Sequence, residues 1–154
     1  MSTARITDIY NYLPLDDKLA TSGQPSEEEL AAVADDGVEV VINLALHDDP
    51  RYSLPDETGC VRALGMEYVH IPVQFDGPTE ENLTAFFNVM EANSGRKRLV
   101  HCAANKRVTA FVGLYRAIRS RWDREKAFAP MKEIWEPNPV WAEFIEAMLR
   151  KHRS

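Results

Sequence analysis

The chain has 154 residues, 45% hydrophobic and 27% charged, the make-up of one globular domain. A chain of this length buries about two thirds of its unfolded surface, so its core needs neither a metal nor a disulfide. Its net charge of -6 disfavours general binding to nucleic acid or an anionic membrane, and its two cysteines, Cys60 and Cys102, exclude a disulfide scaffold and an all-cysteine zinc site.

The opening residues Met1 to Asp8 carry no apolar signal core, and no run of about 18 apolar residues exists to span a bilayer. The expectation is a cytoplasmic protein with residues 1–154 as one domain and no membrane partner. Ser22 to Gln24 reads as a turn after an edge strand. Ser26 to Asp36 is predicted as a helix, with Ser26 and Glu29 forming a capping box and Gly37 as the stop. Val38 to Leu44 is nearly continuous in apolar, mostly β-branched residues, the pattern of a strand buried on both faces of a parallel sheet.

Asp56 to Leu64 is predicted as a short helix closed by Gly65, with Cys60 in its core-facing part. Glu67 to Val73 reads as a strand running into the loop Phe75-Asp76-Gly77-Pro78. Thr79 caps the next helix, whose Leu83, Phe86, Phe87 and Met90 share one face. Arg98 to His101 is a short strand. Thr109 to Arg119 is apolar nearly all round and reads as a central buried helix. Helices near Asp123 to Trp135 and from Pro139 to Lys151 complete the chain, the last capped by Asn138. The fold class expected is α/β, a small three-layer sandwich with a mainly parallel central sheet flanked by helices.

Ligands in such sheets bind beyond the carboxyl ends of the strands, which directs attention to the segment after Val100. There a strand ends at Cys102, a tight loop of Ala103, Ala104, Asn105, Lys106 and Arg107 follows, and a helix begins. Loop amides and the helix dipole make such a turn an anion site, and Lys106 and Arg107 add formal charge. A cysteine in that field is expected as a thiolate. The planar fork of Arg107 holds two oxyanion oxygens at once. A thiolate beneath a bound oxyanion suits phosphoryl transfer through a covalent cysteine intermediate.

The run His101-Cys102-Ala103-Ala104-Asn105-Lys106-Arg107-Val108-Thr109 resembles the active-site signature of the cysteine-dependent protein tyrosine and dual-specificity phosphatases. Ser22-Gly23-Gln24-Pro25, the strand from Val40 and the strand from Glu67 are similar to a bacterial group of small phosphatase-like domains. The resemblance implies a phosphotyrosine-phosphatase-like fold and phosphate monoesters, of protein or small molecule, as substrate class. It implies Cys102 as nucleophile, Arg107 as oxyanion-binding arginine, and a phosphate cradle from Ala103 to Arg107. It further implies a hydroxyl at Thr109 that assists the leaving thiolate, and a general acid in the loop of Asp76. By the same resemblance His101 tunes the loop, and Ser22 and Gln24 line its mouth. The family signature has one residue more between cysteine and arginine than the four found here, and Asn105 stands where glycine is common. A loop this short is similar to that of rhodanese-type sulfurtransferases, which would carry a persulfide on Cys102. A non-catalytic anion-binding module is the third reading.

Asp48 and Asp49 are the other candidates for the acid. Glu80 reads as a first-turn helix charge. His70 is strand-borne. His47 and Asp48 make a weak metal pair, and neither metal nor cofactor is expected. Cys60 reads as core, with a resolving thiol for Cys102 as the sharper alternative. Arg116, Arg119, Arg121, Arg124 and Lys126 read as a solvated, partly ion-paired face rather than a docking patch, and Trp122, Trp135 and Trp141 as packing residues.

Overall fold

A computed structural model describes residues 4–46 and 54–153. Strands β1 (Leu13–Asp16), β2 (Leu19–Ser22), β3 (Val40–Asn43), β4 (Glu67–His70) and β5 (Arg98–His101) form one sheet in the order β1-β2-β5-β3-β4. β1 runs antiparallel to β2, and the other neighbours are parallel. The β-branched run expected over Val38 to Leu44 narrows to β3, whose four residues are all buried, as two covered faces require. The strand ahead of Ser22 is second in the sheet rather than at its edge. That place belongs to β1, where Pro14 lacks a ladder donor and alternate residues face solvent.

Helices α1 (Glu27–Asp35) and α2 (Glu57–Ala63) cover one face. Their Leu30, Val33 and Val61 pack with Ala20, Val41 and Leu99 of the sheet. Helices α3 (Glu80–Ala92), α4 (Lys106–Ile118), α5 (Arg124–Ala127), α6 (Ala129–Ile134) and α7 (Pro139–Arg153) make up the other layer. Leu19, Val40, Ile42 and Val100 meet Phe86, Phe111, Leu114 and Trp141 there. Alternate strand residues thus feed two separate cores, which makes the three-layer sandwich. Capping follows the sequence: Ser26 and Glu29 bond reciprocally, Thr79 does so with Asn82, and Asn138 Oδ1 accepts from the Trp141 amide at 3.0 Å.

The helix expected over Asp123 to Trp135 is two short helices meeting at Phe128, with Pro130 in the first turn of the second. The break seats the Phe128 ring on α4 at Gly113, where an added Cβ would lie 2.3 Å from Phe128 Cδ1. Arg116 meets Asp16 and the Trp122 ring, Arg119 pairs with Glu91, Arg124 with Glu146, and Lys126 lies over Trp122. The basic run is therefore largely partnered. Glu80 is held by Lys151 and His152, the Lys151 hydrogen bond leading in drawing its carboxyl below the ordinary value.

Alanine outranks glycine in a free helix by about 1 kcal/mol, yet the Phe128 contact reverses the order at this position. G113A is expected to destabilise the fold by about 1–3 kcal/mol through overpacking. Urea denaturation measures it, and a variant as stable as wild type would show that Phe128 does not pack there.

Candidate active site

The four parallel strands end in register, with Ser22, His101, Asn43 and His70 side by side. The chain leaves β3 for α2 on one face and β5 for α4 on the other, the switch in direction beside which ligands of such sheets bind. The Cys102 loop stands at that switch point. Cys102 is 1% exposed and packs on the α4 side of the sheet. His101 turns to the opposite face, as strand alternation predicts.

Closing a four-residue loop between strand and helix demands one unusual backbone conformation, and Asn105 supplies it at φ 65° and ψ 11°. Its fully buried side chain donates to the Asn11 carbonyl and to Thr21 Oγ1, each at 2.9 Å. Asn11, itself at φ 51°, returns a bond to the Ala104 carbonyl at 3.0 Å. The Cys102 amide donates to the Ser22 carbonyl, and the Gln24 amide to that of Ala103. Gly23 lies between them, where a Cβ would come within 2.7 Å of the Ala103 carbonyl oxygen. The loop carbonyls of Ala103 and Ala104 are thus taken up by neighbouring segments. The N–H groups of the first α4 turn are left without intrahelical acceptors, which is the anion-binding side of a helix start.

Arg107 is buried in this first turn, its Nη1 donating to the Val73 carbonyl at 2.8 Å and its guanidinium 5.9 Å from the Phe75 ring. Lys106 is half-buried, with Nζ 5.8 Å from the Trp135 ring. Asp76 follows Phe75 in an exposed turn, and Trp141 Nε1 of α7 donates to the Phe75 carbonyl at 2.6 Å. The loop of Asp76 is thus fastened to Arg107 at one residue and to α7 at another. Thr109 Oγ1 lies 2.8 Å from the Asn105 carbonyl and 3.1 Å from that of Lys106, bonded back along the helix. Val108 is fully buried in the core. Ser22 is enclosed and donates to the Gly23 carbonyl, while Gln24 reaches Glu57. His70 lies 2.6 Å from the Ala45 carbonyl. His47, Asp48 and Asp49 lie outside the described residues. Cys60 packs at the edge of the other core, across the sheet from Cys102. Burial, then the charges of Glu27, Glu57 and Asp56, push its thiol above the ordinary value. Among the described residues no cluster of three or more metal-ligating side chains forms.

Glu57, the first residue of α2, is 1% exposed, with Oε2 2.6 Å from His101 Nε2 and Oε1 accepting from Gln24 Nε2 at 2.7 Å. The Tyr68 hydroxyl bonds the same carboxylate and accepts from Asn43 Nδ2 at 3.0 Å. Burial, then the Glu57 charge, push the Tyr68 phenol well above its ordinary value. Sequence alone shows Glu57 as one more acid in a helix first turn.

The mainly parallel sheet between helical layers matches the fold of solved tyrosine-phosphatase-like structures. The chain belongs to the family described as DSP-PTPase phosphatase fused to NAD+ kinase, whose model matches residues 9–137. A DUF442 candidate phosphatase of Shewanella putrefaciens CN-32 superposes with a TM-score of 0.85, 31% identical, over 96% of each chain. Tk-PTP (TM-score 0.77, 22% identity, 92% of this chain and 97% of that one) shares the fold, as does PTPMT1 in complex with PI(5)P (TM-score 0.77, 17% identity, 92% and 96%). A beta-lactamase hydrolase-like protein of Xylella fastidiosa strain 9a5c is 31% identical over 127 residues, 81% of this chain. The chain spans 28% of that relative's length.

N105A forces a Cβ-bearing residue without a local polar side chain into the left-handed region, and N105G does not. Both lose the two buried hydrogen bonds. N105A is expected to fall below N105G in stability by about 1 kcal/mol. Paired thermal melts measure the gap, and equal stabilities would show that residue 105 is not left-handed.

Proposed function

We propose that this domain hydrolyses phosphate monoesters of the tyrosine or dual-specificity type through a phosphocysteine on Cys102. The observation that carries the reading is the Cys102 loop itself. Cys102 opens the loop, Arg107 lies buried in the first turn of the helix that closes it, and the family is one of phosphatases. The Cys102 thiolate attacks phosphorus in line with the ester oxygen. The S–P bond forms as the O–P bond breaks. Arg107 and the amides of Ala103 to Arg107 hold the three equatorial oxygens, whose charge grows in the transition state. Arg107 is already oriented by the Val73 carbonyl, so little ordering remains at the moment of reaction.

Asp76 is the proposed acid. Its turn follows the residues that touch Arg107, and a carboxylic acid there protonates the leaving oxygen. As carboxylate it then draws a proton from the water that cleaves the S–P bond, which frees the thiolate and phosphate. Thr109, its hydroxyl on the Asn105 and Lys106 carbonyls, steadies the start of α4. No cofactor takes part. The substrate is a phosphorylated protein or small molecule.

Hydrolysis of an aryl phosphate by wild type, abolished in C102S, is the expected result. Transfer of sulfur from thiosulfate to cyanide without phosphate release would assign a sulfurtransferase instead. Phosphate binding with no turnover would leave a binding module. D76N is expected to lower turnover by about 10²–10⁴-fold and to flatten the fall in rate at high pH, where the acid loses its proton. An unchanged pH–rate profile would move the acid to Asp48 or Asp49.

A further inference from the structure

Behind the Cys102 loop lies a buried carboxylate that the reaction above does not use. Glu57 and His101 are both enclosed, with Oε2 and Nε2 2.6 Å apart. Burying an ion pair is a poor way to gain stability, since desolvation offsets the attraction. Its presence next to a candidate nucleophile calls for another account.

The proton inventory supplies one. Glu57 receives the Gln24 amide N–H and the Tyr68 hydroxyl as well as His101. Donors converging on a carboxyl group favour its ionised form. At the other end of the imidazole, Nδ1 faces the Cys102 carbonyl at 3.5 Å, and a carbonyl oxygen can only accept. The imidazole thus has an acceptor at each nitrogen, the arrangement that suits a ring protonated on both.

We infer that Glu57 is a positioning residue for Cys102: by holding His101 doubly protonated, it keeps a fixed positive charge behind the loop that favours the Cys102 thiolate. The inference rests on the reading of Cys102 as nucleophile. The groups facing the pair are Tyr68 and its stacked neighbour His70 from β4, and Cys60 and Asp56 from the α2 region. Glu27 of α1 reaches Cys60, and Cys102 follows β5. Among these, His101 is the group that meets the Cys102 backbone, and Lys106 and Arg107 supply positive charge from the α4 side.

The sign follows. Without the Glu57 charge the imidazolium loses its proton, the thiolate loses a cation, and the thiol midpoint rises. The test is the pH dependence of iodoacetamide alkylation in E57Q against wild type, read on separate peptides by mass spectrometry. In E57Q the Cys102 midpoint is expected about one unit higher, so that alkylation is about tenfold slower on the acidic side. Cys60, whose thiol the Glu57 charge pushes up, is expected to move the other way. General loosening would speed alkylation of both thiols, so opposite movement separates the electrostatic role from a structural one.

A folded E57Q protein, judged by circular dichroism, with an unmoved Cys102 midpoint would overturn the inference. Should E57Q not fold, E57Q/H101N keeps a neutral amide pair in place of the charges. The same rise is expected there, and an unmoved midpoint is equally fatal. Alkylation needs no turnover. A shifted midpoint with no aryl phosphate hydrolysis by wild type would end the phosphatase reading and leave Glu57 its role. Hydrolysis with an unmoved midpoint would do the reverse.

Discussion

A strand that ends at Cys102 and a helix that begins at Lys106 must be joined in very few residues, and the join must leave its amides pointing inward. That constraint governs the architecture around it. One residue takes the left-handed conformation, Asn105, and its side-chain amide is spent on Asn11 and Thr21. Those partners come from the N-terminal segment, so the loop is tied to the part of the chain that carries β1 and β2. Asn11 and Asn105 each bond the other's neighbourhood, so the loop is held from outside by side chains and backbone. A flexible turn of the same composition would satisfy its own amides and offer nothing to an anion.

The local signals were legible in the sequence because they are contiguous. The capping box at Ser26, the cap at Thr79, the apolar face of α3 and the run from His101 to Arg107 are each set within a few residues of sequence. The layer order also follows from the alternation of β-branched runs with amphipathic ones. The split at Phe128 was not legible, since a pause in a helix leaves almost no trace when both halves keep apolar residues on one face.

Long-range partners were hidden for a different reason. Glu57 lies 44 residues from His101, and at a helix start it looks like any dipole-favouring acid. Asn11 lies 93 residues from Ala104, and Trp141 lies 66 from Phe75. No period or spacing encodes such pairs. They become visible only when the sheet brings the ends of β2, β5, β3 and β4 level. Ser22 shows the limit of a motif taken alone, because its hydroxyl turns away onto its own neighbour's carbonyl.

The fastening of Phe75 by Trp141 has one more consequence. The family model matches as far as residue 137, and α7 begins at Pro139. The strap on the Asp76 turn therefore comes from a part of the chain that the shared pattern does not include. Relatives can retain every residue of the anion loop and still differ in how firmly that turn is moored, according to what their last helix presents. Divergence in pace or substrate tolerance then has a place to arise outside the anion loop, as a change in tethering rather than in reactive groups.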